Sequence, residues 1–444
     1  MIRHPFLPCF QAVLPKPSLF LRLFLTFYLM TISKTAFAEE LLQVSAAIHI
    51  SSTVSDGKHS IAEIVRIARE NKMRVVVITD RDFMRWEYGL WPLRGVIKKA
   101  VTSNSVGEYG VRRYLKDIEK AQKDNPDMLI IAAVESAPFY YWQGSPLKKN
   151  LKLKNWHKHM LVVGLENELD YQNLPTVSNL RKSSWPARYD QYHGDQADRP
   201  YQNLIDYVNS RGGLIFWAHP EAENVGTRGA IGIETKPYPD ALLKTYGYTG
   251  FSVFYEGYTT IGSPGGIWDT TLKEYCQGKR KQPVWAIGGL CFDQVGELTE
   301  IMKDLRVIVL ISYWSKKAVL KALKEGRDYV VLGKGGLRLE SFEVTDSLKQ
   351  NKPAMMGEEI ALSANPRIKI KGYCLEEADV KIKIKLIRGG EIIKVFEAAS
   401  PFEIEYQDEA VIAANKTYYR LEITSPGGML VTNPIFLINE KVIQ

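Results

Sequence analysis

Residues Ala46 to Phe83, AAIHISSTVSDGKHSIAEIVRIARENKMRVVVITDRDF, constrain the fold of this chain more tightly than any other stretch. Apolar residues lead up to His49, and Ser55-Asp56-Gly57 marks a turn. Ile61, Ile64, Val65, Ile67 and Ala68 recur at helical spacing, and Val75-Val76-Val77-Ile78 is an unbroken β-branched run that stops at Thr79-Asp80-Arg81-Asp82. Strand, helix and strand in this order make a βαβ unit. Parallel strands joined by a crossover helix require a sheet covered on its faces by helices. Polar residues gather just beyond both strand ends, where parallel α/β folds bind their ligands.

The same rhythm continues. Strands are expected at Met128–Val134, which runs into Glu135, at His159–Val163, and at Leu214–Ala218, which runs into His219-Pro220-Glu221. Phe251–Tyr255, Pro283–Ile287 and Arg306–Ile311 are further strands, and Tyr109–Lys123, Tyr201–Ser210, Trp268–Cys276 and Lys316–Glu325 are helices. Such alternation predicts a parallel α/β barrel over residues 39–336; it also fits an open doubly wound sheet. Candidate ligands after most of the strands favour the closed ring. Arg85–Tyr109, rich in aromatic and basic residues, reads as an insertion over the strand ends, and Glu166–Pro200 as a long polar loop. From Leu337 the helical patterns stop, and short alternating runs such as Val380–Ile387, with turns such as Arg388-Gly389-Gly390, predict a β-sandwich over residues 337–444.

Residues 1–38 are expected to be a signal peptide. They carry Arg3, Lys16, Arg22 and Lys34 without an acidic residue, then the short apolar core Leu23–Ile32 and an Ala36-Phe37-Ala38 cleavage site. The chain is therefore expected to be exported, periplasmic or secreted, with no stable membrane span after cleavage. The four basic residues leave with the leader, so the formal charge of +8 falls to +4. That is too little for a nucleic-acid binder of this length. Cys276, Cys291 and Cys374 remain, too few for a disulfide framework.

His49, His159 and His219 stand at strand ends together with Glu135, a set of nitrogen and oxygen donors suited to a divalent ion. The order of these motifs resembles the PHP (polymerase and histidinol phosphatase) family of metal hydrolases. The family opens Asp-x-His-x-His, continues with Ser-Asp-Gly and ends its second strand in Thr-Asp-His; here the matching positions are Ala47, His49, Ser51, Ser55-Asp56-Gly57 and Thr79-Asp80-Arg81. Ala133-Val134-Glu135, His159, and Ala218-His219-Pro220 match the third, fourth and fifth strands, and Gly288 to Asp293 aligns with Gly-x-x-Asp-x-His, placing Cys291 at the Asp and Asp293 at the His. The resemblance covers about Ala46 to Lys334 and implies a distorted seven-stranded (β/α)7 TIM-like barrel with up to three metals at the strands' C-terminal face.

Carried over residue by residue, the resemblance implies one complete metal site, Glu135, His159 and His219, and a second, incomplete one at His49, Ser51, Glu135 and Cys291. The third would be Asp56, Arg81 and Asp293. Arginine has no lone pair to give a metal. Arg81 is therefore expected to replace that cation and to fork onto Asp56 and Asp293 as part of the catalytic machinery. The implied function is hydrolysis of small phosphorylated substrates with one or two divalent ions (Zn, Mn or Fe), with Arg81, Arg85 and the Lys148–Lys154 patch available to phosphoryl oxygens. The alternative is a non-catalytic relative that binds one metal and an anionic ligand in the cell envelope.

Overall fold

The computed structural model describes residues 41–181, 189–292, 297–348, 352–375, 379–409 and 415–440. The expected leader and Asp293 lie outside the described residues. In the opening unit, strand β1 (Leu42–Ile50) is followed by helix α1 (Ile61–Glu70) and by β2 (Val75–Arg81), parallel to β1. Ser60 starts the helix: its Oγ accepts from Glu63 N at 3.3 Å, and the Glu63 carboxylate accepts from Ser60 N at 2.8 Å. Two donors that a helix start would leave unpaired are satisfied reciprocally. α1 buries Ile61, Ile64, Val65, Ile67 and Ala68 in the same core as Ala47, Val76 and Ile78 of the strands. Each large aliphatic side chain so buried contributes roughly 1.5–3 kcal/mol.

Five more strands complete the central array: β3 (Leu129–Ser136), β4 (Met160–Val163), β5 (Leu214–Trp217), β6 (Gly250–Phe254) and β7 (Trp285–Gly288). They hydrogen-bond in chain order from β1 to β7. One face of the sheet joins the helical layer. On the other, Ala46, Ile48, Val75, Val77, Ile131, Leu161, Phe216 and Ile287 converge into one buried cluster. Side chains from six strands can meet only if the sheet curls. Its two ends touch at one rim, where Leu290 N donates to Ile48 O (2.8 Å), Phe292 N to His49 O (3.2 Å) and Ser51 N to Phe292 O (2.9 Å).

The expectation of uninterrupted parallel order needs a correction. β4 runs antiparallel to both β3 and β5, whereas β1–β2–β3 and β5–β6–β7 are parallel. Between β3 and β4 there is no described crossover helix, only the short strands Tyr141–Gln143 and Lys152–Lys154, and without a crossover the chain must return reversed. The residues expected as an insertion form the hairpin Arg85–Gly89 with Lys98–Thr102, packed by Trp86, Tyr88 and Val101 against Tyr140, Trp142 and Trp156. The polar segment after Glu166 contains the short helix Glu168–Gln172, and residues 182–188 of it are not described.

Beyond β7, β8 (Leu305–Ile311) pairs antiparallel with the free edge of β1, and β9 (Asp328–Leu332) pairs with β8. The sheet then continues through Gly428–Thr432 into Lys416–Ser425, Lys381–Arg388 and Glu391–Ala399. A second sheet of Leu337–Asp346, Pro366–Cys374 and Phe402–Gln407 shares a core with these strands, built from Leu339, Phe342, Ile370, Ile384, Leu421 and Ile423. A fully buried ion pair fastens this region to the helix Ile267–Cys276. Arg420 Nε and Nη2 donate to Asp269 Oδ1 and Oδ2 at 2.8 and 2.6 Å, and Tyr418 Oη donates to Oδ1 at 2.7 Å.

Candidate metal centre

Four residues at the ends of central strands hold the left-handed backbone region that side chains disfavour: His49 (φ 72°), His219 (φ 31°), Glu256 (φ 61°) and Cys291 (φ 51°). Such positions cost about 1–3 kcal/mol each and persist only where the surroundings enforce them. At His49 the register with β2 also shifts between Ile48 and Ile50, a bulge that re-aims the imidazole.

Three of the sequence-nominated donors meet at Glu135, near the end of β3. Glu135 Oε1 lies 2.7 Å from His159 Nδ1 and 3.3 Å from His219 Nε2, and those two nitrogens are 3.2 Å apart. All three residues are buried. His159 precedes β4 rather than ending it, so only the reversed direction of β4 carries it to the rim where the other strands finish. The acceptors around each ring bear on its tautomer. A metal on His159 Nδ1 requires the ring proton on Nε2, and the Trp156 carbonyl 3.0 Å away is placed to accept it; Glu135 Oε1, 2.7 Å from Nδ1, competes for that proton when no ion is bound. Tyr238 Oη gives its proton to the Ala218 carbonyl at 2.5 Å, so it can accept from His219 Nδ1, 3.3 Å away, which is the tautomer that frees His219 Nε2 for a metal.

In those tautomers three lone-pair atoms converge, an arrangement that a cation between them would favour. An ion about 2.0–2.2 Å from two ligands at right or tetrahedral angles holds those ligands roughly 3.0–3.5 Å apart. The observed 2.7, 3.2 and 3.3 Å fit that requirement with little adjustment. Trp156 O and Tyr238 Oη supply the outer hydrogen bonds that orient metal-binding imidazoles.

The other carboxylate oxygen has different company. Glu135 Oε2 lies 3.0 Å from His49 Nε2 and 2.8 Å from Arg81 Nη1. Arg81 Nε donates to Asp56 Oδ2 at 3.0 Å. Asp293, the second partner expected for Arg81, is not described; among the described residues Glu135 takes that place. Arg81 Nη1 is also within 3.1 Å of both ring nitrogens of His159. The guanidinium therefore neighbours the position that a metal on Nδ1 would take. Burial opposes charge on Arg81, but Glu135 and Asp56 outweigh it and hold the guanidinium cationic. Burial likewise opposes ionisation of Glu135, yet Arg81, His49 and His159 keep its carboxyl well below the usual range. Burial, then Arg81, push His159 far down, and the same two causes take His157 to about 4.

His49, His219 and Cys291 form a second group, their ligand atoms within 4.8 Å of one another. His49 Nδ1 is buried and unpartnered among the described residues, and Cys291 is exposed. Ser51, where the resemblance would put a histidine, is buried. Asp80 does structural work: it accepts from Ser52 N, Ser52 Oγ and Ser55 Oγ at 2.7, 2.7 and 2.6 Å, which fixes the loop carrying Asp56. Arg85 pairs with Glu87 at 2.8 Å, while Lys152 and Lys154 both bind Glu234, so these cations are engaged elsewhere. Sequence reasoning missed Tyr238 and the Trp156 carbonyl, which nothing in the chain marks. It also missed Asp82, which accepts from Ser136 Oγ (2.6 Å) and Phe83 N (2.6 Å) and which burial raises to about 7.

No protein-family model matches the chain, and no curated protein does. Among solved structures it is similar to a two-domain protein from Bacteroides vulgatus containing a PHP-like metal-dependent phosphoesterase assigned by prediction. The identity is 13%, over 89% of this chain and 96% of the other, with a TM-score of 0.37. A protein from Bifidobacterium adolescentis, provisionally named a metal-dependent phosphoesterase, is 12% identical over 56% of this chain and 87% of its own, with a TM-score of 0.29. Overlaps at this level do not establish a common fold, so the chemistry is carried by the side chains alone.

Proposed function

We propose that this chain is an exported PHP-type hydrolase of phosphoesters, a distorted seven-stranded barrel with a β-sandwich appended, that works with one or two divalent ions. The observation that carries the reading is the convergence of Glu135 Oε1, His159 Nδ1 and His219 Nε2, with an acceptor placed at the far nitrogen of each ring. These three residues would hold one ion, and His49 with Cys291, at the same rim, are the candidates for another. A bound divalent ion would supply a water acidic enough to act as hydroxide near neutral pH.

The chain's own groups divide the remaining work. Trp156 O and Tyr238 Oη favour the metal-binding tautomer of both imidazoles. Arg81, held by Asp56 and Glu135, is a fixed positive charge at the rim and would draw phosphoryl oxygens toward the cluster. Asp56, oriented by the Asp80 loop, stops the guanidinium from swinging away. The aromatic hairpin and the Tyr140–Trp142 strand stand at the same end and would wall the substrate site.

The purified chain, supplied with Mn or Zn, should cleave a generic phosphodiester or phosphomonoester, and Glu135→Ala or His219→Ala should abolish turnover. No turnover with a tightly bound ion would instead favour a binding protein. Turnover that survives both substitutions would belong to a contaminant.

A further inference from the structure

Between Gly89 and Lys98 the aromatic hairpin ends in a tip whose composition is unusual for a solvated turn. Leu90, Trp91, Leu93, Val96 and Ile97 expose 48, 78, 52, 81 and 48% of their surface. Elsewhere the strongly exposed apolar side chains are mostly scattered singly, which is ordinary. Five within eight residues form a patch, and patches mark interaction sites.

The tip is built rather than frayed. Leu90 N donates to Ile97 O (2.8 Å), and Val96 N and Ile97 N both donate to Leu93 O (2.9 and 2.8 Å). A side chain at Gly89 would strike the Arg94 carbonyl, its Cβ falling 2.3 Å from that oxygen, so the tight return depends on glycine there. The stem is anchored by Gly89 N to Tyr192 Oη (2.7 Å), Glu87 N to Tyr140 Oη (2.9 Å) and Trp142 Nε1 to Glu87 O (2.8 Å). These apolar residues are therefore held outward and cannot fold back to bury themselves.

Charge around the tip is mainly basic, although Glu87 in the stem pairs with Lys98 at 3.1 Å. Arg94, Lys98 and Lys99 lie in it or at its base, and no acidic residue occurs between Glu87 and Glu108. A projecting tip of eight residues is too small for a stable protein interface, which buries about 800 Å² per partner. A tryptophan at the apex, aliphatic residues beside it and a basic collar match the interface of an anionic bilayer. Tryptophan settles at headgroup depth, aliphatic side chains enter the acyl boundary, and lysines reach the phosphates. None of the described helices is long and apolar enough to cross a membrane, so such contact would be peripheral.

We propose that the 90–97 tip is a membrane-docking element that inserts into the interface of a bilayer containing anionic lipid. Its stem leaves the sheet four residues after Arg81, so docking would turn the rim that carries the metal centre toward the lipid surface.

The test uses the full chain with vesicles of phosphatidylcholine alone or mixed with phosphatidylglycerol, read by flotation and by hydrogen exchange. With anionic vesicles, amide exchange in residues 88–99 should slow and the chain should float. Trp91→Ser/Leu93→Ser/Val96→Ser, with its thermal unfolding unchanged, should lose that protection. Lys98→Glu/Lys99→Glu should weaken binding by on the order of tenfold or more, since each basic residue near an anionic surface contributes about 1 kcal/mol. The proposal fails if the chain floats while exchange at 88–99 is unchanged, because another segment then binds. It fails equally if no vesicle is bound, or if protection of the tip tracks protein concentration without lipid, which would make it a contact between copies. Exchange on the unmodified chain decides the matter even if the triple variant misfolds.

Discussion

Arg81 Nη1 lies 2.8 Å from Glu135 Oε2, the carboxylate oxygen that does not face the His159–His219 pair. One buried carboxylate is thereby divided: one oxygen is compensated by a guanidinium, the other is left for a metal. Replacing Arg81 with histidine removes a fixed charge and adds a donor between Asp56 and Glu135. Arg81→His should therefore bind one more ion per chain than the parent, measured by elemental analysis after removal of free metal. An unchanged stoichiometry would show that the guanidinium does not stand in a cation's place.

Glu135→Gln keeps the shape of the side chain and removes its charge. Metal affinity should fall by more than the roughly 10–100-fold that loss of a group merely orienting a ligand costs. The apo protein should also lose stability, by about 3–5 kcal/mol, because Arg81 would be left buried with Asp56 as its one remaining carboxylate. Chemical denaturation of the metal-free forms checks this.

Asp82 gives the stability a pH dependence of known sign. Burial raises its carboxyl to about 7 from the ordinary 3.8, against the bonds from Ser136 and Phe83 that favour the charge. The folded state therefore keeps a proton that the unfolded chain releases. This contribution is fully present below 3.8, declines as pH rises, and is gone above about 7. Asp82→Asn, neutral throughout, should gain on the parent between pH 4 and 7 by up to roughly 3–4 kcal/mol. A stability difference that is flat with pH would mean Asp82 is ionised in the fold.

Cys291 reports on a second ion. With cobalt in place of the native metal, a thiolate ligand gives a charge-transfer absorption that oxygen and nitrogen ligands do not. Cys291→Ser should abolish this band and leave the ion held by Glu135, His159 and His219 in place. A parent protein without the band would remove Cys291 from the ligand set.

The pair of Arg420 with Asp269 should behave as a buried charge pair does. Asp269→Ala leaves a guanidinium with no exposed surface unpaired and should cost about 3–5 kcal/mol. Changing both, as Arg420→Met with Asp269→Leu, should recover much of that loss, which a double-mutant cycle in denaturant would measure.

Some of this was legible in the residues and some could not be. Glu135, His49 and His219 each close an apolar run, so a strand-by-strand reading was enough to nominate them. The direction of a strand is invisible in its own composition: HMLVV reads alike whichever way it runs. Only the missing crossover between Ser136 and Met160 shows the reversal. The groups that bear on the imidazole tautomers were hidden for another reason. The Trp156 carbonyl is backbone, which every residue has, and Tyr238 is one tyrosine among 23. That the Arg81 guanidinium lands on Glu135 depends on the register of β2 with β3, where the two residues are direct neighbours across the pair.

The reversal of β4 also decides where the molecule can change. Because β3 leaves the sheet and β4 re-enters it at the same rim, everything between Ala137 and Lys158 hangs at the metal end without crossing the core. Lengthening or rebuilding that excursion would alter the mouth of the site while leaving every strand pairing of the central array in register. Outside the buried Phe139, Tyr140, Trp142, Leu153 and Trp156, the fold thus contains one wall whose sequence is free to follow the substrate.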